Sequence, residues 1–289
     1  MRTLRSGLVF LFVLLLAPSV HGQASRSVTR TFDLDTGGTV SLDAYKGRVD
    51  VRTWEHDQAR VEVRIEGEEQ ALVDNTTIRF ESAGDRLDIE TNYDELEDNQ
   101  TLFGLFRLGS IDRPSTDYTI TVPRTSNLAI DTYSAPTTVS RLEGDLRFDA
   151  YSADLDVERL TGTLRADTYS GTVSVGRAEG ALTTDTYSGA LRTDSLSGSV
   201  SFSTYSGSAM LGVAALTADC RFDSFSGDVT VTLPSSAGAV IETEENALDS
   251  DLPLRIEAAG DERIRGILGE GGPRLRFDTF SGTLSVHSR

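Results

Sequence analysis

The sequence predicts an all-β solenoid with coils of about 18 residues, and three observations carry that prediction. First, a five-residue phrase recurs at fixed spacing. Its full form is Asp167-Thr168-Tyr169-Ser170-Gly171, and its aromatic returns at Tyr133, Tyr151, Tyr169, Tyr187, Tyr205 and Phe225, in steps of 18, 18, 18, 18 and 20. A fixed period of this size marks stacked units that bury their apolar faces only against one another. Second, apolar and polar residues alternate between the phrases, as in Leu146-Arg147-Phe148-Asp149, which is the period of a strand with one buried face. Third, 26 glycines stand against seven prolines in 289 residues, which suits many tight turns between short strands.

At the N-terminus, Arg2 and Arg5 precede an apolar run over residues 8–17, followed by Pro18 and small residues up to Gly22. That is the pattern of a secretory signal over residues 1–22. The run is shorter than the ~20 residues of a membrane span. The expectation is an exported chain, periplasmic or extracellular at the cell surface, with no transmembrane segment in its mature part.

Residues 23–289 then read as one solenoid domain. Residues 23–125 form irregular N-terminal coils, with alternation over 28–34, 40–44, 49–51 and 61–65 and two further strands at 78–80 and 87–89. Asp43-Ala44-Tyr45-Lys46-Gly47 is a degenerate copy of the phrase. An insert at 94–117 breaks the pattern with an acidic stretch and then the apolar Leu102, Phe103, Leu105 and Phe106. It is expected to cap the stack, with docking of a partner or lipid surface as the sharper alternative. Residues 126–233 hold the regular repeats, each with a second turn, at Gly144, Gly162, Gly180 or Gly198. Residues 234–289 close the stack, ending in a last copy, Asp278-Thr279-Phe280-Ser281-Gly282.

Parity assigns the faces. Leu146, Phe148, Ala150 and Ser152 share one side, and Arg147, Asp149 and Tyr151 the other. The first set is expected inside, so threonine and serine of the phrase face in while aspartate and tyrosine face out. Ser-Gly reads as a bend in which glycine can take positive φ, although Ala135 and Ala153 in the same slot argue that positive φ is not strictly required there. Stacking in register, ~4.8 Å apart, would build ladders of like residues. Stacked aspartates repel by roughly 1 kcal/mol in water. Arg147, Arg165, Arg221 and Arg276 each precede a repeat aspartate by two and are placed to neutralise it. Cys220 shares parity with Phe222 and is expected to be a buried small hydrophobe.

A net charge of −18 disfavours nucleic acid and anionic lipid, which need clustered cations. His21, His56 and His287 are isolated, so no zinc spacing is present, and there is no Gly-x-Ser-x-Gly elbow and no phosphate-cradling loop. No cofactor, metal or catalytic residue is expected. Carboxylates on adjacent coils do raise the thought of a polysaccharide-processing enzyme. At least five near-identical aspartates repeat, whereas an active site is singular. Calcium on the aspartate ladder lacks the glycine-aspartate nonapeptide of calcium-binding β-helices.

The repeated phrase, the secretory N-terminus and the opening at 43–54 together resemble a bacterial family of unknown function built of β-strand repeats. Its members carry the label of candidate adhesins and are related to auto-transporter adhesin head domains. The resemblance runs over roughly residues 30–289 and implies a single-stranded, right-handed parallel β-helix, with no catalytic residue to carry over. The expectation is an exported, non-enzymatic scaffold. It would present Tyr133, Tyr151, Tyr169, Tyr187, Tyr205 and Phe225, with Asp149, Asp167 and Asp185, to an unidentified protein or glycan at the cell envelope. Two alternatives stand beside it: a purely structural envelope protein whose ladder only staples coils, and the carboxylate-using enzyme.

Overall fold

The computed structural model describes residues 24–93, 113–258 and 263–289. Residues 1–22 and the insert's Leu102, Phe103, Leu105 and Phe106 lie outside the described residues.

The described chain is all-β, and its strands join one long sheet of 22 strands. β1 (Ala24–Asp33), β2 (Thr39–Ala44), β3 (Gly47–Trp54) and β4 (Gln58–Gly67) come first. The short helix α1 (Gln70–Asn75) leads to the hairpin of β5 (Thr77–Ser82) and β6 (Arg86–Asn92). β7 (Ser115–Pro123) starts inside the stretch expected to be insert. β8 (Asn127–Thr132), β9 (Thr137–Leu142) and β10 (Leu146–Ala150) follow. β11 (Leu155–Thr168), β12 (Thr172–Thr186) and β13 (Ala190–Thr204) are long enough to run along both sides of a coil. β14 (Ser208–Leu216), β15 (Cys220–Ser224) and β16 (Val229–Leu233) complete the regular part.

In this part the strands pair in parallel with an 18-residue register. Leu146 lies beside Leu164, Leu182 beside Val200, and Asp149 beside Asp167. Each coil therefore has a first side (146–150, 164–168, 182–186) and a second side (155–160, 173–178), and each side stacks on its own kind. Inward residues form columns: Phe148, Ala166, Thr184, Phe202, Phe222 and Phe277 make one, all at most 1% exposed. Burying each phenylalanine stabilises the stack by about 1.5–3 kcal/mol. Cys220 sits in the same interior at 2% exposure, where burial raises its thiol to about 11, so it is an inert core residue.

The bend departs from parity. Thr168, Thr186 and Ser224 are buried as expected, but Ser152, Ser188, Ser206 and Ser226 lie at the surface. Alternation holds only while the chain is extended, and at Tyr-Ser it turns. The turn instead points the glycine inward, and the threonine caps it: Gly189 N–H donates to Thr186 Oγ1 at 2.8 Å and Gly207 N–H to Thr204 Oγ1 at 2.7 Å. Nor does this glycine take positive φ. It is needed because a Cβ at Gly189 would collide with the Gly171 carbonyl of the coil beneath. In the regular repeats positive φ belongs to the second turn, at Gly162, Gly180 (φ +141°) and Gly198, which stack on one another, whereas in the degenerate copy Gly47 takes it (φ +126°).

The rung order at both ends departs from chain order. After β16 the chain skips a place and forms β17 (Ala239–Glu244) and β18 (Leu248–Ser250), then β19 (Leu254–Ala258) and β20 (Arg263–Leu268). It then returns as β21 (Arg274–Thr279) and β22 (Leu284–Ser288). β21 slots between β15 and β17, and β22 between β16 and β18. The first rung is threaded likewise: β2 lies between β6 and β8, and β3 between β7 and β9. Antiparallel pairings β1–β4–β7 and β17–β20–β19 close the two ends.

Candidate functional site: a carboxylate–aromatic furrow

On the outer face of the first side, strand alternation sets arginine, aspartate and the bend aromatic side by side in a rung. Arg147 Nε donates to Asp149 Oδ2 at 2.6 Å, Arg165 to Asp167 at 3.2 Å, Arg221 to Asp223 at 2.6 Å and Arg276 to Asp278 at 2.7 Å. The first three pairs are exposed and each is worth at most about 1 kcal/mol, while Arg276–Asp278 is part-buried. Their effect is to cancel the like-charge stack.

The aromatics form a continuous ladder. Tyr45, Tyr133, Tyr151, Tyr169, Tyr187, Tyr205, Phe225 and Phe280 stack with centroids 4.8–5.1 Å apart and planes within 10°. Such pairs add about 0.5–1.5 kcal/mol each beyond burial. At one end Tyr93 meets Tyr45 edge-on at 6.3 Å, and the Arg113 guanidinium lies 4.5 Å over the Tyr45 ring. At the other end Phe280 is 76% exposed. Within the ladder the ring faces are occupied by other rings, so the tyrosines offer only edges and hydroxyls to a partner.

Between the aspartate and aromatic columns runs a furrow. One stretch of about 1020 Å³ has Asp167, Asp185, Asp223 and Asp278 along it with Tyr169, Tyr187, Tyr205 and Phe225. A second, of about 510 Å³, continues it past Asp131 and Asp149 beside Tyr133 and Tyr151. A third, of about 410 Å³, opens beside Asp43 and Asp131. The structure thus places all nine sequence-expected ladder residues along this furrow.

Neutralisation along it is uneven. The rung with Ser201 at the arginine place has Ser203 in place of the acid, so both charges are absent. Asp185 has Thr183 there but borrows Arg165, 4.0 Å away. Asp43 and Asp131 have only Ser41 and Ala129. Burial raises the Asp43 carboxyl, and Asp131 and Glu90 raise it further; burial and Asp149 raise Asp131 against the pull of Arg147. At Asp278 burial also pushes upward, but hydrogen bonds from Arg276 and Arg263 outweigh it and hold the carboxyl low. Sequence reading missed Asp43 and Asp131 as a distinct pair. The signal was the small residue two places before each. Among the described residues, no cluster of histidine, cysteine and carboxylates is arranged to hold a metal ion, and no helix is long and apolar enough to cross a membrane.

A family model described as Toastrack DUF4097 matches residues 40–287. No curated protein matches the chain. Among solved structures, a candidate adhesin from Bacteroides fragilis is similar at 12% identity, covering 91% of this chain and 97% of that one, with a TM-score of 0.48. A candidate lipid-binding protein from Parabacteroides distasonis shares 13% identity over 91% and 96% of the two chains, with a TM-score of 0.34. A candidate adhesin from Parabacteroides merdae shares 8% over 92% and 96%, with a TM-score of 0.28.

Proposed function

The chain belongs to the Toastrack DUF4097 family, and from that premise we propose that it is an exported, non-enzymatic scaffold holding an extended partner along its furrow. Residues 1–22 serve as the signal peptide in this reading, and 23–289 wind as one right-handed parallel β-helix, the hand that parallel β-crossovers favour. One observation supports the binding role above the rest. Aspartate and aromatic repeat in register from rung to rung, so the furrow is a line of near-equivalent subsites. A line suits a protein strand or glycan chain at the cell envelope, whereas bond-breaking chemistry needs a singular site.

The stacking favours a second reading, in which the ladder only staples coils, because the ring faces are consumed by one another. Two double variants separate the readings, assayed for binding to isolated envelope material and for thermal unfolding. Asp167→Asn with Asp185→Asn should weaken binding by about tenfold or more, as charged hydrogen bonds are lost, with the fold intact. Tyr169→Ser with Tyr187→Ser removes three stacks and should lower stability by about 2–4 kcal/mol. Unchanged binding by both variants would leave a scaffold whose outer ladders only hold it together.

A further inference from the structure

The two sides of the stack finish unevenly at the C-terminal end. Among the described residues the second side stops at β18, three residues long and paired only with β22. The first side runs two strands further, from β17 to β20 and then to β19. Ile256 on β19 lies beside Gly266, which lies beside the buried Ile241, so Ile256 points to the core side of the sheet. The core does not reach it. Leu254 on the same strand packs against the core, whereas Ile256 is 55% exposed.

Among the described residues β1, β5, β18 and β19 each pair along one edge only. β1 packs with α1, and its Arg26 donates to the carbonyls of Asp74 and Thr76. β5 sets Phe80 against Phe32, with ring centroids 5.4 Å apart. β18 is too short to template another strand. β19 has none of these protections: its five residues keep unbroken register with β20, contain no proline and centre on the exposed isoleucine. An edge of that kind is a template for another strand. Its own sequence says which one. Leu254-Arg255-Ile256-Glu257-Ala258 is charge-complementary to itself when turned about Ile256. Against an antiparallel second copy with the twofold axis at Ile256, that residue meets its own equivalent, and Arg255 meets Glu257 of the second copy, twice. Moving the axis to Arg255 or to Glu257 sets like charges opposite one another, so the register is specified. Within one copy the two side chains lie 3.7 Å apart, exposed enough to reach across.

We propose that β19 is the joint of a homodimer, in which two copies pair β19 against β19 and carry the first-side sheet through both. The inference goes beyond the furrow reading and does not depend on it. Leu254 and Ile256 of both copies share one side of the joined sheet, which takes Ile256 out of water. Arg255 and Glu257 share the other side and make the two cross-copy pairs. The twofold axis stands normal to the sheet, so the outer faces of both copies look the same way. That sets the two furrows on one face of the dimer.

The test is sedimentation velocity of the full chain at concentrations up to about 100 µM, where a monomer–dimer equilibrium is expected. Arg255→Glu alone and Glu257→Arg alone each set like charges across the joint twice, so each should raise the dissociation constant at least about tenfold. The double variant Arg255→Glu/Glu257→Arg exchanges the charges and should dimerise like wild type. An equimolar mixture of the two single variants should also associate, because each meets the opposite charges on the other. Ile256→Ser should weaken the dimer by a similar tenfold factor. All three side chains are exposed, so a thermal melt of dilute protein close to wild type confirms that each variant is folded. A wild-type chain that stays monomeric, single reversals that dimerise unchanged, or a mixture of folded single variants that stays apart would each overturn the joint.

Discussion

Two threonines on β12, two residues apart, should respond to the same substitution with opposite sign. Thr184 points into the core, 1% exposed, between Ala166 and Phe202 of the adjacent rungs, and its Oγ1 has no hydrogen-bond partner. A buried unsatisfied polar group costs about 1–3 kcal/mol. Thr184→Val replaces that hydroxyl by a methyl of nearly the same size, so the protein should gain about 1 kcal/mol or more. Thr186 is equally well placed for valine by shape, but its Oγ1 accepts the Gly189 N–H at 2.8 Å and a bond from Thr168 Oγ1 at 3.1 Å. Thr186→Val strands a buried N–H at the bend and should cost about 1–3 kcal/mol. Urea unfolding monitored by circular dichroism gives the sign from the midpoint at constant slope. For a chain of this size, 1 kcal/mol corresponds to about 2–4 °C in melting temperature. A neutral or destabilising Thr184→Val would mean that the hydroxyl is satisfied, for instance by a trapped water, and would refute the assignment. A neutral Thr186→Val would refute the bend cap.

Glycine substitutions should sort by clash rather than by backbone angle. Gly37 has φ +77° and open space around it, so Gly37→Ala should cost only about 1–2 kcal/mol; Gly189→Ala, driven against the carbonyl of Gly171, should cost about 3 kcal/mol, as read by equilibrium unfolding. Acid substitutions should show opposite pH dependence. Asp131 is raised in the folded state, so Asp131→Asn should stabilise at pH 7, with the gain vanishing below the ordinary carboxyl value of about 3.9. Asp278 is held low, so Asp278→Asn should destabilise at pH 7, and that cost should fade as pH falls below the same value toward the lower folded one. Melting temperatures measured across pH 3–7 check both.

The regular core was legible because its signals are local. An 18-residue period with alternation is enough to place Phe148, Phe202 and Val175 inside and Arg147, Asp149 and Tyr151 outside, and to bring Arg147 onto Asp149. Alternation stops informing where the strand stops, so the exposed serines of the bend were misplaced. The role of Gly189 was equally hidden, because the carbonyl it must avoid belongs to a residue 18 positions away. The threading of β2–β3 and β21–β22 was illegible for a related reason. Nothing in 274–288 by itself says that residues 239–250 have already taken the place beyond it. The raised pair Asp43 and Asp131 was legible in principle at Ser41 and Ala129, but a missing residue signals only when the rest of the repeat has fixed what to expect.

Threading also gives the scaffold a mechanical character. A pull on residue 289 does not meet an edge strand that peels away one hydrogen bond at a time. It loads β22, which is laddered to β16 on one flank and to β18 on the other. Both ladders hold β22, so both must break before it leaves the stack. From the other end only β1 can peel before the load reaches the interior strands. A stack with its C-terminal strands clasped in this way should hold under tension until it yields abruptly, with a lifetime set by the unfolding rate rather than by equilibrium stability.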